Sequence, residues 1–184
     1  GAELKSVDIS GVQDIRDALV IQEPDLIAVL HATPDGAEQA LARIKADFAV
    51  PAPTVDNSNI LEHLKARAAE GQVIEQKGDL AAGRELSALK FDETYFTPYI
   101  AHAATETHSA LAQVAGGEAT VWISTQSPFG MQEGIARTLN LAPEKVRVIT
   151  PFVGGGFGGK SQGRQALEAA RLSKLAGAPV QVAW

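Results

Sequence analysis

The chain has 184 residues, 45% hydrophobic and 21% charged, the balance of an ordinary globular protein with room for one domain or two small ones. A formal net charge of −6 with no basic stripe argues against nonspecific nucleic-acid binding, which needs clustered Lys and Arg to release counterions from phosphates. Without cysteine the chain cannot by itself form a disulfide, a Cys-ligated zinc site or an iron–sulfur cluster, and its longest apolar runs, such as "LIAVL" at 26–30, fall far short of the roughly 20 residues that cross a bilayer.

In chain order, the N-terminus "GAELKSVDIS" has neither an initiator Met nor a charged-then-apolar leader. The other end, "APVQVAW", stops in mid-strand, so the sequence reads as a piece of a larger polypeptide. Residues 18–32 give two short strands separated by "QEPD", where Pro-Asp is turn chemistry. "TPDGAEQALARIKADF" (33–48) reads as a helix, with Ala37, Ala40, Leu41, Ile44 and Phe48 at helical spacing, Thr33 as N-cap and Pro34 as first helical residue. A Pro-bearing connector over 49–57 precedes a second amphipathic helix over 58–71, capped by Ser58 or Asn59 and ended by Gly71. Residues 72–86 are polar and weakly patterned, and a boundary is placed there.

From Leu86 onward short strands are expected in "LSALKFDETYFT", "SALAQVA" and "ATVWIST", with "GGE" (116–118) turning the last two into a hairpin. A helix over 129–140 follows, then a strand through Val146, Val148 and Val153, a glycine loop, a helix over 165–176 and a terminal strand.

Chemistry concentrates in that loop. Gly154 to Ser161 spell GGGFGGKS, a literal match to the phosphate loop G-x-x-x-x-G-K-[ST], and Gly154, Gly156 and Gly159 also satisfy G-x-G-x-x-G. Neither match is complete. Only 23 residues follow Ser161 and none is acidic after Glu168, so the magnesium-holding Asp of one motif and the ribose-binding carboxylate of the other are missing. Five glycines interrupted only by Phe157 nonetheless exceed what a turn requires, and such a loop lets backbone amides approach an anionic ligand closely. Elsewhere, His102, Glu106 and His108 share parity and in an extended segment would face one way, which suits either a metal or backbone hydrogen bonding. Gln126 stands between a strand end and a helix start, where its amide could meet an oxo or carbonyl oxygen or simply cap the helix.

Taken in order, "PYIAHAATET", a strand pair, "WISTQSPFG", a helix running into "LNLAPEKVRVI", "GGGFGGK" and a helix ending "AGAPVQV" resemble the large, molybdenum-cofactor-binding subunit of the xanthine dehydrogenase and aldehyde oxidase family over residues 86–184. The "PYIAHA" segment is closest in style to the isoquinoline 1-oxidoreductase-like and bacterial aldehyde dehydrogenase branches. The resemblance implies an α+β fold: the C-terminal part of a hammerhead-type α/β domain over 1–50, a linker with one helix over 51–85, and the first part of a molybdopterin-binding domain with mixed sheet and helices over 86–184. It implies that Gly155, Gly156, Phe157 and Gly158 meet a molybdenum–pterin cofactor through backbone groups, that Gln126 donates its side-chain amide to an oxygen ligand of the metal, and that Lys160 is a loop residue and no phosphate-loop lysine.

The implied reaction hydroxylates an aldehyde or N-heterocyclic carbon with water as oxygen source. Electrons would leave through iron–sulfur clusters or haem on a partner subunit or domain. No catalytic residue and no metal ligand is assigned within this chain, because the family's glutamate base lies far towards the C-terminus and Glu106, though it matches a position in "HAATE", is read as structural. By itself the segment is expected to be inactive. Two rival readings of the residues stay open: a nucleotide-binding protein using GGGFGGKS, and a noncatalytic binding or scaffold module.

Overall fold

The computed structural model describes residues 2–184 and shows strands β1 (Glu3–Asp8), β2 (Leu19–Glu23) and β3 (Leu26–Leu30), helix α1 (Pro34–Leu41), strand β4 (Lys45–Ala49), and helices α2 (Ile60–Arg67) and α3 (Leu80–Leu86). Strands β5 (Ser109–Ala115) and β6 (Glu118–Ile123), helix α4 (Pro128–Leu139), strand β7 (Val146–Ile149), helix α5 (Arg164–Ala176) and strand β8 (Val180–Ala183) complete it. The chain divides into two compact units, one formed by residues up to Ser6 with Asp47–Tyr99, the other by Val7–Ala46 with Ile100–Trp184.

The second unit is built on a four-stranded sheet in the order β7-β6-β5-β8. Gly116 and Gly117, at φ +59° and +77°, close the β5–β6 hairpin in the left-handed geometry that matches strand twist. Alternation then sets the faces. Ala110 and Ala112 of β5 stand opposite Ile123 and Val121 of β6, and Ala119 and Val121 stand beside Val146 and Val148 of the parallel strand β7. These residues form one core with Met131, Ile135, Ala136 and Leu139 of α4 and with Ala166, Ala169 and Ala170 of α5. The three α5 alanines sit at i, i+3 and i+4, so the helix presents a small-residue stripe to the sheet. Because α4 connects β6 to β7 and these strands run parallel, both strands end at the same edge of the sheet.

In the same unit β2 and β3 form an antiparallel hairpin, whose turn carries Asp25. Arg171 of α5 holds it: Nη1 and Nη2 donate to the two oxygens of Asp25 at 2.9 and 2.6 Å, and Nη2 also donates to Glu23 at 2.6 Å. These two carboxylates raise the guanidinium's pKa further above its already high value.

Several expectations need correction. The helix expected over 33–48 ends at Leu41 and the chain then forms β4, which pairs with β1, a strand that the sequence reading left unassigned. Thr33 does cap the helix, its Oγ1 accepting from Gly36 N at 3.2 Å, so the start was encoded locally and the end was decided by strand pairing. Helix α2 is shorter than the expected 58–71, and α3, capped by Asp79 Oδ1 accepting from Ala81 N and Ala82 N, falls in the segment read as weakly patterned. No strand forms in 87–97. Leu89, Phe91, Tyr95 and Phe96 are exposed there, because β-propensity acts only against a neighbouring strand and this stretch has none. The strand expected to run to Val153 stops at Ile149. Among the described residues no helix is long and apolar enough to cross a membrane.

Replacing the fully buried Ile135 with Ala should destabilise this unit by about 2–5 kcal/mol in denaturant unfolding, whereas Leu89→Ala, on an exposed side chain, should change stability by less than about 0.5 kcal/mol. Equal effects of the two substitutions would contradict the assignment of the core to the β5–β8 sheet and its helices.

Candidate functional site

Ligand sites in open α/β sheets form beyond the carboxyl ends of parallel strands. Here that edge gathers three segments: Ser124 to Gln126 after β6, the loop 150–163 after β7, and residues 102–108 leading into the antiparallel strand β5. Backbone hydrogen bonds join them. Gln126 N donates to Lys160 O at 3.0 Å, and Glu106 N donates to Gly154 O at 3.2 Å. His108 Nε2 donates to Gly159 O at 3.1 Å.

The glycine loop is held open in a defined shape. Gly155 and Gly158 adopt φ +98° and +95°, and Phe157 between them adopts +53°, uncommon for a residue with a Cβ. Among the described residues the amides of Gly155, Gly156 and Phe157 have no hydrogen-bond acceptor, while those of Gly154, Gly158, Gly159, Lys160 and Ser161 are all engaged. Three consecutive unpartnered amides in a backbone of alternating φ sign are the kind of donor set that binds an anionic or electron-rich group, although Gly156 itself is buried. Space explains two further glycines. A Cβ on Gly154 would come within 2.6 Å of Glu106 Cβ, and one on Gly156 within 2.6 Å of Gln126 Oε1. At Gly158 a Cβ would meet only the His102 ring, Nε2 at 3.5 Å being nearest, so that glycine is required by its φ and not by the packing of this chain.

Gln126 is exposed and oriented by the loop. Its Oε1 accepts from Gly158 N at 3.1 Å and Lys160 N at 3.3 Å, which leaves the side-chain NH2 as a free donor. Phe129, Phe152 and Phe157 are exposed on the segments that flank it.

Beneath the loop lies the one feature that sequence reasoning underweighted. Lys160 is 1% exposed and its ammonium donates to Glu106 Oε2 at 2.5 Å and to Ser124 Oγ at 3.3 Å. The same carboxylate oxygen accepts from Ser124 Oγ at 2.7 Å and from Gly154 N at 2.6 Å. Lys160, then Ser124, then the Gly154 amide together lower the Glu106 pKa to about 2. This removes the phosphate-loop reading: a lysine that must reach a triphosphate cannot spend its ammonium on a buried ion pair. It also separates the shared-parity trio, since Glu106 is occupied by the loop and His108 by Gly159; among the described residues no three His, Asp or Glu side chains gather as a metal site. Lysine and glutamate lie 54 positions apart, and only the co-linear order of "HAATE" and "GGGFGGK" hinted at the pairing.

Does this edge fit a large anionic cofactor? It offers three free backbone amides, a free neutral amide on Gln126, exposed aromatic side chains, and no uncompensated acid, because Glu106 is neutralised by Lys160. Gln165 Oε1, in the first turn of α5, is buried without a donor among the described residues. The donor set fits. A groove of the same unit, lined by β3, β8 and Trp184, shares no residue with the loop.

Comparison with known proteins decides the family, for residues 64–184 match the molybdopterin cofactor-binding domain. The chain belongs to that family. It is 40% identical over 106 residues to the aldehyde oxidoreductase molybdenum-binding subunit PaoC of Escherichia coli, covering 57% of this chain and 14% of the relative. It is 38% identical over 80 residues to the isoquinoline 1-oxidoreductase subunit beta of Brevundimonas diminuta, covering 43% of this chain and 10% of that one. The fold matches the aldehyde oxidoreductase from Desulfovibrio gigas with a TM-score of 0.73 at 18% identity, over 100% of this chain and 25% of that one. The chain therefore spans about a seventh of the length of PaoC.

The Glu106 pair should show in acid. A carboxylate whose pKa falls from 4.5 to about 2 on folding contributes stability that is complete above pH 4.5 and lost as pH drops through that window. The stability difference between the unmodified chain and Glu106→Gln, followed by denaturant unfolding, should be flat above pH 4.5 and shrink steadily towards pH 2; a difference independent of pH would place the carboxylate outside the ion pair.

Proposed function

We propose that this chain is part of the large subunit of a molybdenum hydroxylase, and that its glycine loop and Gln126 form one wall of the molybdenum–pterin site. The observation that carries the reading is the arrangement at the edge of the parallel strands: three successive unpartnered amides at Gly155, Gly156 and Phe157 beside a Gln126 amide aimed by its own carbonyl. Family membership over 64–184 supplies the ligand class.

The cofactor, when bound, supplies the redox chemistry that places a water-derived oxygen on a substrate carbon. What this chain contributes is hydrogen bonding and shape. The free amides hold an electron-rich part of the cofactor without bringing a titratable charge to it, and Gly155 and Gly158 allow the backbone to approach without a Cβ between. Gln126 presents a neutral donor whose direction is fixed before ligand binding, since its acceptor oxygen is already held by two amides. The exposed Phe129, Phe152 and Phe157 offer apolar surface that a bound ligand can cover.

The substrate class follows the relatives' names, an aldehyde or an N-heterocycle. The electron acceptor is an iron–sulfur or haem group on a partner subunit or domain, a reading consistent with a chain that holds no cysteine. Residues 1–50 are read as the end of a hammerhead-type domain and 86–184 as the start of the cofactor domain.

Metal analysis of the intact protein should find molybdenum, and a panel of aldehydes and N-heterocycles with an artificial electron acceptor should reveal oxidation. Gln126→Ala should retain the metal while kcat drops by roughly 10²–10³, the effect of removing one preorganised donor next to reacting oxygen. Isothermal titration with Mg-ATP should give no heat; micromolar binding that disappears in Lys160→Ala, or an intact protein devoid of molybdenum, would overturn the proposal.

A further inference from the structure

A loop with five glycines in six positions has many accessible backbone conformations and cannot hold three amides in one concavity by itself. Something outside it must fix its ends. At the entrance, Gly154 is bound twice to Glu106, its amide donating to Oε2 at 2.6 Å and its carbonyl accepting from Glu106 N at 3.2 Å. At the exit, Lys160 is bound through every polar atom it has. Its amide donates to Gln126 Oε1, its carbonyl accepts from Gln126 N and from Thr125 Oγ1, and its ammonium donates to Glu106 and Ser124. One carboxylate oxygen thus joins both ends of the loop, and the residue that closes the exit also anchors the glutamine beside it.

We propose that Glu106 and Lys160 are positioning residues: their ion pair, closed over Ser124, clamps the two ends of the glycine loop and so sets both the amide concavity and the direction of the Gln126 side chain. The pair touches no cofactor and takes no part in chemistry. It also makes the only lysine of the loop electrically silent, so that the site holds its ligand with neutral donors. The apolar core beneath the sheet includes neither residue, so loss of the clamp disorganises the loop and leaves the sheet and helices in place. The clamp stands whether or not the cofactor reading holds; its consequence for the cofactor rests on that reading.

The test begins with the intact protein depleted of cofactor and its double variant Lys160→Met/Glu106→Gln, which removes both charges together and avoids leaving one buried alone. Amide hydrogen exchange at Gly154, Gly158, Gly159, Lys160, Ser161 and Gln126 should accelerate at least tenfold, with β6 and α5 amides within twofold of the unmodified chain. Arg171→Met, which breaks the other multiply bonded ion pair of this unit, should leave the loop's exchange unchanged. Loop exchange within twofold of the unmodified chain, or acceleration spread evenly over β6 and α5, would refute the clamp. In the intact protein the double variant should lose at least tenfold in molybdopterin content, measured by fluorescence of the oxidised pterin. Full cofactor retention despite accelerated loop exchange would overturn the positioning role. An unmodified protein without molybdopterin would sink the cofactor reading and leave the exchange result to decide the clamp.

Discussion

Two parallel strands that end side by side impose the geometry from which the rest follows. β6 and β7 are joined through α4, so whatever comes after Ile123 and whatever comes after Ile149 emerge at one edge, next to each other, with their backbone amides and carbonyls unspent by the sheet. The chain places a neutral polar triplet, Ser124-Thr125-Gln126, after the first strand and a glycine loop after the second. β5 runs the other way, so the residues that precede it reach the same edge and bring Glu106 and His108 to the loop. The small-residue stripe of α5 supports this arrangement from beneath the sheet, close enough that Ala166, Ala169 and Ala170 are completely buried.

Electrostatics at this edge is notable for what has been cancelled. A cation beside a glycine loop would ordinarily be read as an anion receptor, yet the Lys160 ammonium is withdrawn into an ion pair that is almost wholly shielded on the lysine side. A charge that deeply placed is tolerated only with a partner and further hydrogen bonds, and Glu106 and Ser124 supply them. What faces outward is a set of neutral donors: backbone amides and the Gln126 side chain. Such donors stabilise developing negative charge without their own protonation state depending on pH, which suits a site where redox and proton chemistry belong to a bound group.

The family assignment and the geometry support each other from different directions. Matching residues 64–184 to a molybdopterin cofactor-binding domain says what kind of ligand to expect, and the free amides of Gly155, Gly156 and Phe157 are the donors that the proposed site offers it. The rival motif, already short of its acidic partner in the sequence, also fails in three dimensions, since GGGFGGKS satisfies the phosphate-loop pattern letter by letter while its lysine side chain is committed elsewhere.

Local chemistry fixed much of this protein in advance. Thr33-Pro34 started a helix, Gly116-Gly117 turned a hairpin, and the glycine run announced a loop open to close approach; each needs only contacts within a few residues, so each was legible in the sequence. What the sequence left undecided depended on partners far along the chain. Helix α1 gave way after Leu41 because β4 pairs with β1, and residues 87–97 stayed unpaired despite their strand-like composition because no strand of this chain lies beside them. The shape of the glycine loop was settled by Glu106 and Lys160, 54 positions apart, because glycine has no conformational preference strong enough to choose one shape, and only the packing of three segments at one sheet edge could choose it.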